Sequence, residues 1–451
     1  MVAVLARAAV SLALLAVAAA APAPLADRAV PTLPSKDPFY GVPDDIESAA
    51  PGTILRHREP PNAIATFGLL RVNLEATHQL LYRTTDNLGK ATATVLTVLI
   101  PHNADRSKVL SYQVATDAPS IDCAPSYAFQ LESATGPLLG TLVSQVELLL
   151  IEAILEQGWV VIVPDFQGPQ GAFLANVLGG NAVLDGIRAV INSADTTGIR
   201  KPTVTMWGYS GGSLPTNWAA ELQPTYAPEL SIAGAAVGGT VPNITTVVTT
   251  VNKGPIAGLI PSGILGLSLQ YPEIKAVVDK HLKPEYVERF HKTTKQCAVA
   301  SMANFLFADV LQMFDDRSLI YTDPTAVRIL DDNALGKVTP SIPLYWYKSV
   351  LDEDSPISDS DALVSKYCAE GASIEYVRDL MSEHGSCAIV GAPKALSWLK
   401  GIMDGRVPSR GCSKKTTVST LLDPATFKIL PKALIELLLD LLGKPVGPHL
   451  V

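Results

Sequence analysis

Hydrophobic and polar positions follow two different rhythms along the chain. Short runs of aliphatic and β-branched residues predict buried strands, and segments with apolar residues at helical spacing lie between them. The clearest run, Val160-Val161-Ile162-Val163, indicates a strand that is covered on both faces, as in a parallel sheet. Further strands are predicted at 108–115, 203–207, 231–237, 342–349 and 372–377, and helices at 138–156, 182–192 and 214–222.

This alternation of strands and helices predicts an α/β fold with a mostly parallel sheet flanked by helices. Near the start of the pattern, residues 80–83 and 91–100 flank a turn at Asp86-Asn87 and predict a β-hairpin. The preceding segment, 27–61, is rich in proline, alanine and charge without a sustained period, so it is predicted to be an extended arm.

The pattern of buried strands is missing between residues 239 and 323. Helices are predicted there at 284–291 and 300–314, and residues 240–269 are apolar but irregular. We interpret this segment as a cap or lid inserted before the last strands; an ordinary helical subdomain without a gating role is the alternative. The core then divides into an N-terminal part, 21–238, and a C-terminal part, 324–451.

The first 20 residues have the features of a secretory signal peptide. A short basic start is followed by an apolar run at 8–21 that ends in alanines, and cleavage is predicted near Ala20. The run is too short for a membrane span. We therefore expect a secreted protein without a stable membrane anchor, and an alanine-rich cytosolic tail is the alternative.

Composition excludes a nucleic-acid-binding protein and a disordered chain. With 35 Lys+Arg against 43 Asp+Glu, the formal net charge is −8, and the longest basic cluster is Lys414-Lys415, so no nucleic-acid partner is expected. A content of 48% hydrophobic and 17% charged residues excludes a disordered chain. Histidines and cysteines are not clustered and no H-E-x-x-H occurs, so we expect no metal and no cofactor.

Five cysteines in an oxidising compartment predict two disulfides and one remaining thiol, with the pairing left open by the sequence. Asn243-Ile244-Thr245 is an acceptor sequence for N-glycosylation, which makes Asn243 a candidate modification site. An unmodified surface turn is the alternative for that segment.

The candidate chemistry centres on Gly208-Tyr209-Ser210-Gly211-Gly212, a G-x-S-x-G that follows a predicted buried strand and precedes a predicted helix. In this context the motif indicates a nucleophile elbow, with Ser210 as the nucleophile. The turn is so tight that side chains at positions 208 and 212 would meet neighbouring backbone.

A serine hydroxyl needs a base and an acid that orients the base. In sheet hydrolases these follow the serine in the order acid, then histidine, and His384 is the histidine that suits this order, in a loop after the predicted strand 372–377. The acid should follow the strand at 342–349, where Asp352, Glu353 and Asp354 are all candidates, with Asp359 and Asp361 further on. Spacing does not choose among them.

Several motifs in order resemble the fungal secretory lipase family over about residues 37–404. They are Asp37-Pro38-Phe39-Tyr40, Tyr82-Arg83-Thr84-Thr85, Pro164-Asp165-Phe166-Gln167-Gly168, the serine motif, Val237-Gly238-Gly239-Thr240 and Glu383-His384. The resemblance implies an α/β-hydrolase fold, a helical cap after the sixth strand, and hydrolysis of triacylglycerols or other esters without a metal.

The resemblance also assigns individual residues. It implies that Asp352 is the acid, because Pro356 follows four residues later; Leu351 departs from the family's usual Pro or Gly, so Asp354 remains the reserve candidate. The oxyanion donors would be the N–H of Gly211 and, by resemblance, Asp117, which also suits an Asx-turn.

The resemblance also implies two disulfides, Cys123 with Cys297 and Cys368 with Cys412. This pairing leaves Cys387 as a free thiol.

The function that these features predict is a secreted serine ester hydrolase, in particular a triacylglycerol lipase acting on a lipid or other ester and contacting a lipid interface. A short-acyl esterase acting on a secondary metabolite is the first alternative. A peptidase on the same fold and a catalytically silent binding protein are the others.

Overall fold

A computed structural model describes residues 30–133 and 141–448. Its strands are β1 (Ile54–Arg58), β2 (Ala65–Thr66), β3 (Leu70–Arg71), β4 (Ala76–Thr85), β5 (Ala91–Ile100), β6 (Asp105–Gln113), β7 (Trp159–Pro164), β8 (Thr203–Tyr209), β9 (Ile232–Gly238), β10 (Leu344–Ser349), β11 (Ile374–Asp379) and β12 (Cys412–Thr417). The signal peptide predicted at 1–20 lies outside the described residues, as does the start of the helix predicted at 138–156.

The strands form a ten-stranded sheet in the order β1-β4-β5-β7-β6-β8-β9-β10-β11-β12, and β2 pairs separately with β3. The first three contacts, from β1 to β7, are antiparallel, and every later contact is parallel. The predicted α/β-hydrolase architecture, a mostly parallel sheet flanked by helices, is confirmed.

The described α-helices are α1 (Pro125–Ala128), α2 (Leu142–Leu155), α3 (Asn176–Ile191), α4 (Ala194–Thr197), α5 (Ser213–Tyr226), α6 (Ile244–Val251), α7 (Leu259–Ser268), α8 (Pro272–His281), α9 (Val287–His291), α10 (Ala298–Asn304), α11 (Leu319–Thr322), α12 (Pro324–Asp332), α13 (Ile357–Ala369), α14 (His384–Met403) and α15 (Pro424–Leu441).

Two apolar layers cover the sheet, one on each face. Val160 and Ile162 of β7 pack into the layer that includes α3, α5 and α13, whereas Val161 and Val163 pack into the layer that includes α2 and α14. Successive residues of a strand point to opposite faces, so a strand between two cores must be apolar at every position. This is the physical reason for the uninterrupted run at 160–163.

Two edge strands escaped prediction because their sequences lack an apolar pattern. β12 is exposed at its first five residues and includes Lys414 and Lys415. β1 lies within the segment predicted as an extended arm, and none of its residues is fully buried. An edge strand is covered less than an inner strand, so its residues can be charged. The apolar pattern that predicts a buried strand is therefore missing from its sequence.

The segment 239–323 contains no strand, in agreement with the sequence, and helices α6 to α11 enclose an apolar cluster of their own around Phe290 and Phe305. The helix predicted at 300–314 is wrong beyond Asn304. The chain turns at Phe307, whose φ is +56°, and the N–H of Val310 donates to Asn252 Oδ1 at 2.8 Å. These tertiary contacts override the local helical spacing.

Two disulfides fix peripheral segments, in the pairs that the family resemblance implies. Cys123–Cys297 joins the turn before α1 to the start of α10, and Cys368–Cys412 joins α13 to the edge strand β12. Cys387 is a free thiol buried in α14.

Thiol titration tests this arrangement. Under denaturing, non-reducing conditions the purified protein is expected to show about one thiol per chain, because four of its five cysteines are paired. Without denaturant the signal should fall close to zero, since Cys387 is only 1% exposed. Five titratable thiols would contradict both disulfides.

Candidate active site

The candidate nucleophile sits on a strained turn between β8 and the start of α5. Ser210 has a φ of +50°, a conformation that costs energy for a residue with a side chain. The flanking glycines make the turn possible. A Cβ on Gly208 would lie 2.2 Å from the carbonyl oxygen of Gly212, and one on Gly212 would lie 1.9 Å from that of Gln113. The turn therefore holds the Ser210 hydroxyl out at the carboxyl edge of the sheet.

His384 and Asp352 form a hydrogen-bonded line with this serine. His384 Nε2 lies 2.7 Å from Ser210 Oγ, and His384 Nδ1 lies 2.8 Å from Asp352 Oδ2. Asp352 follows β10, in the segment where the sequence placed the acid. The structure thus brings together three residues that are separated by up to 174 positions along the chain.

The position of His384 differs from the expected loop after the last strand. It is the first residue of the helix α14, and β12 lies beyond β11 in the sheet. Its backbone is fixed at both polar groups: Tyr209 Oη donates to its carbonyl at 2.6 Å, and its N–H donates to Glu353 Oε2 at 2.7 Å. The ring is therefore held on a rigid element.

The charged groups around the His384 imidazole are those expected of a base that is oriented by an ionised Asp352. Burial would raise the pKa of Asp352, but the hydrogen bond and charge of His384, together with Lys348, lower it to about 2. Burial would lower the pKa of His384, yet the hydrogen bond and charge of Asp352 outweigh it and raise that pKa above its usual value. An ionised Asp352 is what holds an imidazole in the tautomer needed to accept a proton from serine.

Asp354, the reserve candidate, lies on the other side of the ring. Its Oδ2 is 3.8 Å from His384 Nε2, the nitrogen that faces Ser210, and its side chain lines the cavity in front of the serine. Burial raises the pKa of Asp354 to about 6. This geometry suits a group that meets a ligand and does not suit the orienting acid, which must contact Nδ1.

The two candidate oxyanion residues lie beside the nucleophile. Asp117 and Gly211 line the same cavity as Ser210, and Asp117 Oδ1 lies 1.9 Å from the place that a Cβ on Gly211 would occupy. Asp117 has a φ of +48°, and burial raises its pKa to about 6. Glu147, which sequence reasoning missed, accepts a 2.8 Å hydrogen bond from the N–H of Ala115 and secures this loop.

A cavity of about 730 Å³, counted with its open mouth, begins at the serine and extends under the cap segment. Its polar side chains, Asp117, Ser210, Asp354 and His384, are joined by aliphatic and aromatic residues: Phe173, Leu174, Leu214, Val241, Ile244, Val247, Val248, Val251, Ile256, Leu259, Ile260, Ile264, Leu267 and Leu330. Most of these apolar residues come from α6, α7 and the turn between them. The arrangement can hold a long apolar group with one end at Ser210.

The remaining predicted site residue, Asn243, is exposed at the start of α6. Its Oδ1 accepts the N–H groups of Thr245 and Thr246 at 2.9 and 3.3 Å and caps the helix. Among residues 30–133 and 141–448, no group of three or more His, Cys, Asp or Glu is placed to hold a metal ion. Within the same ranges, no helix is long and apolar enough to cross a membrane.

Comparison with known proteins points to one family. The family model described as "Secretory lipase" matches residues 133–411. Lipase A of Arthroderma benhamiae is 49% identical over 430 residues, which cover 95% of this chain and 92% of that protein. Lipase 2 of Candida albicans is 36% identical over 426 residues, covering 92% of this chain and 90% of the relative.

Comparison with solved structures also finds a lipase. The X-ray structure of Candida antarctica lipase A superposes with a TM-score of 0.80 at 30% identity and covers 94% of this chain and 100% of its own. A rice cell wall degrading esterase from Xanthomonas oryzae, at 14% identity and a TM-score of 0.59, shares the fold over 79% of this chain.

Matched asparagine variants test which of the two aspartates near the imidazole is the orienting acid. Asp352→Asn is expected to lower kcat/KM for an ester on the order of 10³-fold or more, because the charge that orients and stabilises the His384 ring is lost. Asp354→Asn should cost far less, since it leaves the bond to Nδ1 intact. A larger loss in the Asp354 variant, with both proteins folded, would move the orienting role to Asp354.

Proposed function

This chain belongs to the secretory lipase family, and from that premise we propose that it is a secreted triacylglycerol lipase that acts through an acyl-enzyme on Ser210. It is a carboxylic ester hydrolase, because the lipases to which it is similar match nearly its whole length. The single observation that supports the proposed mechanism best is the line Ser210–His384–Asp352, with contacts of 2.7 and 2.8 Å, at the end of an apolar cavity.

In the proposed reaction, Ser210 Oγ attacks the ester carbonyl carbon while His384 Nε2 takes the hydroxyl proton. The carbonyl oxygen becomes negative and is stabilised by two hydrogen-bond donors, the N–H of Gly211 and a second donor at Asp117, the residue that the family resemblance assigns to this role. When the C–O bond to the alcohol breaks, the imidazolium returns its proton to the leaving oxygen, and the acyl group stays on Ser210. Water then repeats the sequence with His384 as base and releases the carboxylic acid.

The proposed acyl site is the apolar part of the cavity. Each buried methylene contributes up to about 0.8 kcal/mol, so a wall of aliphatic side chains favours a long acyl chain over acetyl. In this proposal the segment 239–323 acts as a cap that covers Ser210 and separates the chain from water. A short-acyl esterase is the second candidate, and it is favoured only if the apolar wall does not contact substrate.

Secretion and glycosylation belong to the same proposal. Two disulfides suit an oxidising compartment, as does the predicted leader at 1–20. The Asn243 side chain is exposed, and its helix cap uses only Oδ1, which leaves Nδ2 for a glycan.

Replacement of Ser210 by alanine tests the nucleophile. Hydrolysis of a p-nitrophenyl ester should fall on the order of 10³-fold or more, because the hydroxyl that is proposed to carry the acyl intermediate is lost. Thermal unfolding and circular dichroism should show that the variant is folded. Wild-type turnover in that folded variant would contradict the mechanism.

A pair of tryptophan variants on α6 tests the acyl site. Val247 lines the cavity, whereas Thr250 is exposed on the same helix. In Val247→Trp the ratio of kcat/KM for octanoyl over acetyl esters should fall on the order of tenfold, the equivalent of about two methylenes that no longer find apolar contact.

In Thr250→Trp the ratio should stay at the wild-type value, because the new ring lies outside the cavity. An unchanged ratio in Val247→Trp, with acetyl turnover retained, would show that this wall does not contact the acyl chain and would favour the short-acyl esterase.

A further inference from the structure

A lysine is buried directly behind the candidate triad. Lys348 lies one residue before the end of β10, and its exposed fraction is 0%. A buried ammonium is costly unless it has charged or polar partners. The residue therefore needs a reason to be there, and none of the proposed chemical steps uses it.

The ammonium contacts the same carboxylate oxygen that binds the histidine. Lys348 Nζ lies 2.8 Å from Asp352 Oδ2, and that oxygen also lies 2.8 Å from His384 Nδ1. The other oxygen, Asp352 Oδ1, accepts the N–H groups of Asp354 and Ser355 at 3.1 and 2.8 Å. The carboxylate is thus fixed from both sides, and one of its oxygens bridges a cation and the imidazole.

A second contact of Lys348 reaches the start of the cap segment. Its Nζ donates to the carbonyl of Thr240 at 2.9 Å, and Ser355 Oγ donates to the same oxygen at 3.2 Å. Thr240 follows the end of β9 by two residues and is fully buried. The lysine therefore joins three elements: β10, the loop that carries Asp352, and the first residues of the cap.

We propose that Lys348 is a positioning residue of the triad, whose ammonium holds the Asp352 carboxylate against His384 and offsets part of its charge at the imidazole. The proposal rests on the acyl-enzyme mechanism proposed above. It assigns Lys348 no contact with substrate.

The electrostatic consequence can be worked out from the groups that face the ring. Asp352 and Asp354 face His384 and raise its pKa, whereas Lys348 opposes them; Asp117 also lies within electrostatic range, and the Glu353 carboxylate accepts the backbone N–H of His384 at 2.7 Å. Cys387 adds little charge, because burial raises the pKa of its thiol to about 11. The base works only when neutral, so activity is present above the pKa of His384 and is lost as pH falls through it.

Removal of the lysine charge should therefore raise the pKa of His384 and move the acid limb of the pH profile upwards. A unit charge a few ångströms from a buried ring changes its pKa by about one unit or more. A lysine that serves only to fill and stabilise the fold would change the melting temperature and leave the limb in place.

The test measures how fast an alkylphosphonate ester modifies Ser210 between pH 4 and 9, followed by intact mass on the full-length secreted protein. In Lys348→Met and Lys348→Gln the midpoint of the acid limb should rise by about one pH unit. In Lys348→Arg, which keeps the charge, it should stay at the wild-type value. Because the reagent needs no natural substrate, the result does not depend on which ester the enzyme prefers.

Ser355→Ala is the matched structural control. It removes the hydroxyl bond to the Thr240 carbonyl without changing charge and keeps the backbone N–H that Asp352 Oδ1 accepts. Its acid limb should stay in place. A comparable shift in Ser355→Ala would show that loosening this junction is sufficient and would overturn the role of the charge.

Three other results would also overturn the proposal. The first is an unmoved acid limb in a folded Met or Gln variant. The second is failure of both neutral variants to fold while the Arg variant folds, which would assign the charge to folding. Absence of any Ser210 modification in the wild type would overturn the mechanism and this inference together, whereas modification with an unmoved limb overturns only the role of Lys348.

Discussion

The left-handed turn at Ser210 is the constraint on which the other features of the site depend. A φ of +50° directs the serine away from the helix that follows, but only if the chain can pass close to Gln113 and close to itself. Glycine at 208 and 212 satisfies that condition, and the core behind β8 keeps the turn from relaxing. Because the hydroxyl is fixed at the carboxyl edge, the proposed base and acid must come from segments at the same edge. The segments after β10 and β11 supply them, because both strands run parallel to β8 and end at the same edge of the sheet.

The sequence could predict the parts of this arrangement that depend on periodicity and local motif. The run at 160–163 and the glycine pattern around Ser210 each have a local physical cause, so each leaves a signal in the chain. The order serine, acid, histidine indicates His384, whereas its exact surroundings, the first turn of a long helix, are not predicted by that order. Asp352 and Asp354 could be separated only by the resemblance, since both follow the same strand and only three-dimensional contact tells Nδ1 from Nε2.

The features that sequence reasoning missed are those determined by tertiary contact. Lys348 is one residue in a strand of otherwise neutral side chains, and nothing local indicates that its ammonium reaches a carboxylate and a carbonyl from another element. Edge strand β12 has charge where an inner strand has aliphatic residues. The chain after Asn304 leaves helical geometry because Asn252 binds the backbone at Val310. In each case long-range contacts outweigh local preference.

The distribution of polarity in the cavity limits how selective the proposed acyl site can be. Its polar side chains lie at the catalytic end, and the wall built by α6 and α7 is aliphatic. Such a wall recognises length through contact area alone, at up to about 0.8 kcal/mol per methylene, which corresponds to roughly a fourfold preference per step. Strong discrimination would need a buried polar group that pairs with a substrate atom, and the acyl wall contains none among the residues that line the cavity. Selectivity should therefore change gradually with chain length, and in the proposed mechanism a sharper choice between substrates would need a polar group such as Asp354, whose Oδ2 lies 3.8 Å from the His384 nitrogen that is proposed to protonate the leaving alcohol.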